Sequence, residues 1–291
     1  MTRNFAAATL AVFALALAGC ASDPTGGGGT GGGGTGGTGG GGTGGTGGGG
    51  TGGGGGTTPT PTATSLWNGP LSASVIQSKA ISTETGTADD TDKSFTIGSL
   101  TGTYDSSTGI TTLDDGGKIQ IDTSNDEVGL FIAETGSGAT SFGVVGYQTA
   151  TAKLPTGSAT FNGASYVIIN DGAAIFELDG TAVTDIDFGS GSGKSVLDGL
   201  DGTRTDAGLN VTNVTDVGRI TFNDLSVTGG SFTGDTGTVI SNHLAAINSG
   251  NQVIDLQGSV FGVDGGSVGG VFIFDDTGNG SLFIQGAFTG E

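Results

Sequence analysis

The sequence predicts an all-β protein, in which a small antiparallel β-sheet domain precedes an eight-stranded antiparallel β-barrel. Two observations support this class. Apolar residues come in short bursts bounded by Gly, Asp, Asn and Ser, and several bursts alternate apolar with polar residues. Helical patterning is nearly absent, since only Val239–Ile247 is a candidate, as a single turn or a loop.

The first segment, residues 1–19, has the features of a secretory signal peptide. Arg3 supplies a positive start, and the apolar stretch 5–18 is shorter than the roughly 20 residues that cross a bilayer. The tetrapeptide "LAGC" at 17–20 resembles the lipobox of bacterial lipoproteins, whose cysteine thiol receives a diacylglycerol. This resemblance implies that Cys20 is lipidated and that the membrane is a partner through the acyl chains.

The second segment, residues 20–64, is predicted to be a tether. Residues 26–56 contain only 25 glycines and 6 threonines, a composition that buries nothing and predicts a flexible linker. Its typical end-to-end distance is about 35–40 Å. Ala21 follows the cysteine where inner-membrane lipoproteins often carry Asp, which implies the outer membrane. Low-complexity drift without a selected length is the alternative interpretation of this segment.

The composition of the whole chain excludes several classes of function. With 28 acidic and 8 basic residues and a net charge of −20, the chain is an unlikely partner of nucleic acid, which requires basic clusters. The one cysteine and the one histidine, His243, leave no disulfide and nearly exclude a His-based triad or metal site. The sequence therefore predicts no catalytic residue, no metal ligand and no cofactor.

Residues 65–150 form the first predicted domain, a small sheet of about four or five strands. Ile119 and Ile121 alternate with polar residues and are expected to share one face. The sequence "YDSSTG" at 104–109 predicts a hairpin turn. Trp67 is expected to pack the first strand onto the body, and a hinge near 146–157 ends the domain.

Residues 151–291 form the second predicted domain, with about eight strands. Alternation in 174–179, 184–188 and 281–288 predicts strands that each have one solvated face. Turn residues at 170–172 and 275–280 predict hairpins. Eight such strands can close into a barrel, whose interior is either packed with side chains or hollow enough for one small ligand.

The segments "GYQT" (146–149), "LPTGSATFNG" (154–163) and the closing stretch 258–291 resemble the transferrin-binding protein B-like family of bacterial surface lipoproteins. The resemblance covers roughly residues 145–291 and implies one handle–barrel lobe at the cell surface. Phe161 stands where the family often has Tyr, and the closing strand lacks the basic residue that many members carry. No residue of the chain points to transferrin itself as the ligand.

Four groups of polar or aromatic residues are candidate sites, and a structural interpretation is favoured for each. The groups are a possible Ca²⁺ site that reads better as a hairpin turn (Asp275, Asp276, Asn279), a charged solvated loop (Asp198, Asp201, Arg204, Asp206), a lone surface histidine (His243), and hinge or core aromatics (Tyr147, Phe161). The sequence "GSGSGKS" at 189–195 lacks the spacing of a phosphate-binding loop and reads as a strand connection.

These observations favour a surface-exposed, lipid-anchored outer-membrane binding protein. Its ligand would be an extracellular protein or an iron- or metal-bearing solute, which the family resemblance implies is passed to an outer-membrane receptor. The alternative is a structural or shielding coat protein without a specific ligand. A hydrolase is the third option, and no acidic pair in the sequence lies in the apolar setting that glycoside hydrolysis requires.

Overall fold

The computed structural model describes residues 68–291, apart from 106, 123, 245–251 and 277–281. Eight strands form a first closed antiparallel barrel, in which each strand pairs with its neighbours in sequence and the last returns to the first. They are β1 (Gly69–Gln77), β2 (Ala80–Asp89), β3 (Ser94–Ile97), β4 (Leu100–Asp105), β5 (Ile110–Leu113), β6 (Lys118–Ile121), β7 (Val128–Glu134) and β8 (Thr140–Gly146).

The expectation of a small, handle-like sheet of about four or five strands is therefore wrong for this region, which is a closed barrel of eight strands. The signal was weak because β3, β5 and β6 have only four residues each. Such a strand places two side chains inside the barrel, and in β5 one of them is the polar Thr111. The face pattern of β6 is as expected, with Ile119 and Ile121 buried.

A short 3-10 helix, Thr151–Lys153, leads to the second barrel. Its strands are β9 (Ser158–Asn170), β10 (Ala174–Asp187), β11 (Ser192–Asp206), β12 (Val211–Val214), β13 (Gly218–Thr228), β14 (Ser231–Gly234), β15 (Gly237–Ser241), β16 (Gln252–Phe261), β17 (Ser267–Asp276) and β18 (Phe283–Gly290).

The ten strands occupy eight positions around this second barrel, because two of the positions are each shared by two shorter strands. β12 and β13 lie one after the other along the same edge of β11. β14 and β15 likewise lie along the same edge of β13. β18 pairs with β9 and closes the barrel, as the sequence predicted for this half of the chain.

The turn predictions are confirmed where the structure describes them. The predicted turn at 104–109 falls between β4 and β5, with residue 106 outside the described residues, and the turn at 170–172 follows the end of β9 and leads to β10. Of the predicted strand connection at 189–195, residues 189–191 connect β10 to β11, and 192–195 already belong to β11. β17 and β18 form the expected hairpin, although 277–280 lie outside the described residues. The candidate helical stretch is not helical where it is described, since Val239–Ser241 belong to β15, and 245–247 lie outside the described residues.

Apolar side chains form one core inside each barrel and a third core between them. In the third core, β1, β7 and β8 of the first barrel pack against β9, β17 and β18 of the second. The expectation of a solvated second face is therefore wrong for β18, because Phe283 and Ala287 contact the first barrel. The described residues include no helix of the length and hydropathy that crossing a membrane requires.

The interior of the second barrel is packed rather than hollow. Phenylalanine rings fill it and lie over glycines of neighbouring strands, with Phe288 against Gly270 and Phe272 against Gly286. A Cβ at Gly270 would lie only 2.7 Å from the Phe288 ring. A cavity of about 20 Å³ lies between the barrels, near Tyr166 and Phe142, and it has room for about one water molecule.

Candidate functional site

The strand directions give the molecule two distinct ends. The described chain begins at Asn68, and β1 runs away from that point, which we call the near end. Because the first barrel is an up-and-down meander, alternate connections lie at the same end. The far end of the first barrel therefore carries the connections at 78–79, 98–99, 114–117 and 135–139.

The loops of the second barrel are oriented in the same way. Lys79, in the far-end β1–β2 turn, places its Nζ 4.4 Å from the centre of the Phe283 ring at the start of β18. This contact indicates that the far ends of the two barrels lie on the same side of the molecule. The far-end connections of the second barrel are at 171–173, 207–210 and 242–244. We call these loops of both barrels together the far face.

Hydrogen bonds join the two barrels at the near end. Ser267 Oγ donates to Glu127 Oε2 at 2.9 Å, so the β6–β7 loop is held against the start of β17. Asn125 Nδ2 donates to Ser267 Oγ at 3.2 Å and to Glu291 Oε2 at 3.1 Å. With the apolar third core and the Lys79–Phe283 contact, this network supports the barrels as one body with a single far face.

Aspartates shape the turns of the far face. Asp171 Oδ1 accepts from the backbone N–H groups of Ala173 (2.9 Å) and Ala174 (2.7 Å). Asp206 Oδ1 accepts from those of Gly208 (2.8 Å) and Asn210 (3.0 Å). The hydrogen bond from the Asn210 backbone lowers the pKa of Asp206. These loops therefore have defined conformations before any ligand arrives.

One exposed apolar side chain on the far face was missed by the sequence analysis. Leu209 lies in the β11–β12 turn with its side chain in solvent. The signal available in the sequence was an apolar residue inside the turn-forming stretch "DAGLN" at 206–210.

The predicted charged loop is not a loop, because Asp198, Asp201, Arg204 and Asp206 all lie on β11. Their spacing was misread because a β-bulge interrupts the alternation between Asp198 and Asp201. Asp198 forms an ion pair with Arg219, and the hydrogen bond from Arg219 lowers its pKa. The four residues thus fulfil separate roles in strand pairing and turn formation.

The possible Ca²⁺ site does not assemble among the described residues. Asp276 is fully buried and Asp275 half-buried, and no cluster of three or more His, Cys, Asp or Glu in the described ranges could hold a metal ion. His243 is exposed. Asn279, Trp67 and the lipidation candidate Cys20 lie outside the described residues.

The two aromatic residues lie where the sequence analysis expected. Phe161 is buried in the interior of the second barrel. Tyr147 follows β8 in the connection between the barrels, where its backbone N–H donates to the carbonyl of Glu127 and its carbonyl accepts from the N–H of Gly262. Tyr147 therefore helps hold the connection against both barrels.

No protein-family model matches the chain, and no curated protein matches it. Among solved structures, two mutants of transferrin-binding protein B from Haemophilus parasuis Hp5 are similar, each at 17% identity, with TM-scores of 0.53 and 0.50. Each alignment covers 76% of this chain and 44% of that protein, so the chain spans less than half of its length. The haemoglobin receptor HpuA from Kingella denitrificans aligns at 17% identity over 80% of this chain and 88% of that one, with a TM-score of 0.40. The chain therefore shares its fold with transferrin-binding protein B.

Proposed function

We propose that this chain is a lipid-anchored binding protein of the outer-membrane surface. In this proposal Cys20 carries the acyl chains and residues 20–64 hold the two barrels away from the bilayer. The far face captures an extracellular protein, or a protein-bound iron or other metal, and presents it to an outer-membrane receptor. The fold shared with transferrin-binding protein B supports this assignment as an analogy of fold.

The observation that carries the proposal is the opposition of the two ends. The described residues begin at Asn68, on the near end, while the far-face loops of both barrels lie on the opposite end. An anchor attached through the tether would therefore direct the far face outward. Binding residues are commonly found on loops that a rigid scaffold positions in this way.

The packed interiors favour a macromolecular partner over a free small molecule. Small-molecule sites are usually concave pockets of about 300–1,000 Å³. The cavity between the barrels is only about 20 Å³. This comparison favours binding to the outer surface, which suits a protein partner or a solute carried by one.

Three measurements test the proposal. Protease added to the cells should remove the body of the wild-type chain, and Cys20→Ser should release the chain from the membrane fraction. Fluorescently labelled soluble chain, residues 65–291, should compete for any protein that the cells capture saturably. Protection of the body until the envelope is broken, or retention of the serine variant in the membrane, would contradict the anchored, displayed arrangement.

The surface charge supports the alternative function of a shielding coat. A net charge of −20 with 8 basic residues gives a strongly hydrated exterior. A coat protein would show high copy number, no saturable partner, and no loss of function when far-face side chains are replaced. A saturable partner that depends on the far face would instead support the binding protein.

A further inference from the structure

The cavity between the two barrels has an apolar wall and a wall that carries polar groups. The first barrel supplies apolar residues, among them Leu130 and Ile132 of β7 and Phe142 of β8, while the second barrel supplies Tyr166 of β9 and Asp179 of β10. Its volume of about 20 Å³ suits one group of the size of a water molecule. Ile132 and Asp179 are half-buried, so the lining of the cavity extends to the surface of the molecule.

The strand register places two carboxylates beside the Tyr166 ring. Asp179 is the direct cross-strand partner of Tyr166, and the Cβ atoms of such partners lie about 4.5–5.5 Å apart. Glu177 precedes Asp179 by two residues on β10 and therefore shares its face. It is the diagonal neighbour of Tyr166, a position that long side chains can reach.

The hydroxyl of Tyr166 responds to both carboxylates. Burial, together with the charges of Glu177 and Asp179, raises the pKa of Tyr166, so the hydroxyl is protonated at neutral pH. A protonated phenol can donate one hydrogen bond and still accept another through its oxygen. The three side chains therefore offer several acceptor atoms to one small region.

Polar groups in this region lack partners within the part of the chain that the structure describes. The Tyr166 side chain is 8% exposed, and no described residue forms a hydrogen bond with its hydroxyl. Burial raises the pKa of the Glu177 carboxyl, and the ion pairs of the described residues join other side chains. Thr203, directly opposite Glu177 on β11, has a buried Oγ1 without a hydrogen-bond partner. Because unpartnered buried polar groups lower stability, these groups indicate a partner from outside the chain.

A primary ammonium group has the size and the chemistry that this region requires. It is a compact cation with three donors and no acceptor, and it would meet the Tyr166 oxygen and the carboxylates of Glu177 and Asp179. The methylene groups that carry a lysine ammonium pack well against apolar side chains, which Leu130 and Ile132 provide at the opposite wall.

We infer that the cleft between the barrels binds a primary ammonium group, presented by a lysine side chain of a protein partner and accepted by Tyr166, Glu177 and Asp179. The site lies on the flank of the molecule and not among the loops of the far face. The inference therefore goes beyond the proposed function and does not depend on the lipid anchor.

Other occupants suit the cleft less well. A water molecule would satisfy the Tyr166 hydroxyl but would leave the Glu177 carboxylate without an opposite charge. The planar guanidinium of arginine is larger than a cavity of about 20 Å³ accommodates. In the described ranges no cluster of three or more His, Cys, Asp or Glu could hold a metal ion.

The test is a titration of the full chain, labelled with ¹³C in its three tyrosines, with n-butylammonium chloride. The ring signals of Tyr166, assigned by their loss in Tyr166→Phe, should shift saturably, whereas those of Tyr104 and Tyr147 should not. Neutral n-butanol should produce no saturable shift, and n-propylguanidinium should bind at least about tenfold more weakly because it is larger. Sodium chloride at the same concentration controls for ionic strength.

Glu177→Gln and Asp179→Asn should each weaken n-butylammonium binding by about tenfold, because each removes a charged acceptor. Glu177→Gln should melt no lower than the wild type, since it removes a carboxyl whose charged form is disfavoured by burial, so that unfolding cannot explain the weaker binding. Asp264→Asn, at an exposed carboxylate of the near end, is the matched control for charge and should leave binding unchanged.

A blocked peptide with one central lysine among glycines distinguishes a lysine side chain from a free amine. The peptide should shift the Tyr166 signals, and its Nε-acetylated copy should not. Binding of n-butylammonium without binding of the peptide would overturn the lysine assignment, and a Glu177-dependent dimer in sedimentation would assign the site to a second copy instead. No saturable shift, or a shift that survives both Glu177→Gln and Asp179→Asn, would overturn the site. Because the titration needs neither cells nor an anchor, its failure would leave the proposed function of the far face standing.

Discussion

Phenylalanine over glycine is the recurrent side-chain contact inside the second barrel. Phe288, Phe272 and Phe232 each lie against a glycine on a neighbouring strand. The missing Cβ leaves space for the ring, and the ring covers backbone that would otherwise pack poorly. The combination explains why a chain rich in glycine still builds a solid interior.

Removing one of these rings should be strongly destabilising. Phe288→Ala should lower the free energy of unfolding by about 3–5 kcal/mol, because it leaves a cavity over Gly270 that the barrel cannot close. Chemical denaturation measures the change. Ile110→Ala, at an exposed position, should change it by less than about 0.5 kcal/mol. Equal effects of the two substitutions would contradict a packed interior.

Glu177 on β10 should make stability depend on pH. Burial raises the pKa of its carboxyl, so the folded chain holds this proton more tightly than the unfolded chain does. The stabilising contribution of the protonated Glu177 carboxyl is fully present below the pKa of Glu in the unfolded chain, about 4.3. It is lost as the pH rises through the higher pKa of Glu177 in the folded chain.

Glu177→Gln should therefore be more stable than the wild type at neutral pH, and the difference in melting temperature should shrink as the pH falls towards about 4. Asp264→Asn, a change at an exposed carboxylate, serves as the control for altered net charge. A difference that stays constant with pH would show that the Glu177 carboxyl does not titrate as its burial requires.

At the scale of elements, the β6–β7 loop of the first barrel is a connection between barrels as well as between strands. Asn125 Oδ1 accepts from the N–H groups of Glu127 (2.7 Å) and Val128 (3.2 Å), which shapes the loop. The same side chain donates through Nδ2 to Ser267 and Glu291 of the second barrel. The side-chain amide of Asn125 therefore stabilises both the conformation of the β6–β7 loop and the contact of this loop with the second barrel.

Replacing that amide should loosen the near end. Asn125→Ala should destabilise the protein by about 1–3 kcal/mol, because it removes the acceptor of the Glu127 and Val128 N–H groups and the donor to Ser267 and Glu291. Hydrogen exchange should accelerate in 122–128 and 262–267 and remain slow in β10 and β11. Asn213→Ala, on the exposed strand β12, provides the comparison. Unchanged exchange in both loops would argue against the connection.

Long strands were easier to predict than short ones. β10 alternates the buried Ala174, Phe176 and Leu178 with residues of the other face, among them the acidic Glu177 and Asp179, and the pattern indicates both the strand and its buried face. The short strands of the first barrel offer too few inward positions for a period to emerge. Their closure depends on pairing between β1 and β8, which are far apart in sequence.

At the scale of the whole molecule, the third apolar core makes two barrels into one structure. Val271 and Ile273 of β17 face the first barrel, while Val268 and Phe272 of the same strand face the interior of the second. β17 is consequently buried on both faces. Its continuous apolar sequence follows from this position.

The third core should make the unfolding of the two barrels a single cooperative event. Calorimetry of the wild type should show one transition. Val271→Asp should place a charge in the third core, destabilise the protein by roughly 3–5 kcal/mol and separate the transition into two. Val263→Asp, at an exposed position, should preserve one transition. Two transitions in the wild type would contradict a shared core.

The sequence alone determined the all-β class, the alternating faces of strands such as β10 and the hairpin turns, because period and turn chemistry are local properties. It predicted that the strands of the second half can close into a barrel, and the pairing of β18 with β9 closes it. It also located Phe161 in the core. Tertiary structure decided the closure of the first barrel, the joint between the barrels, the packed interior and the exposure of Leu209. These features depend on which distant strands meet, and on the backbone conformation that the surrounding hydrogen bonds impose on one turn.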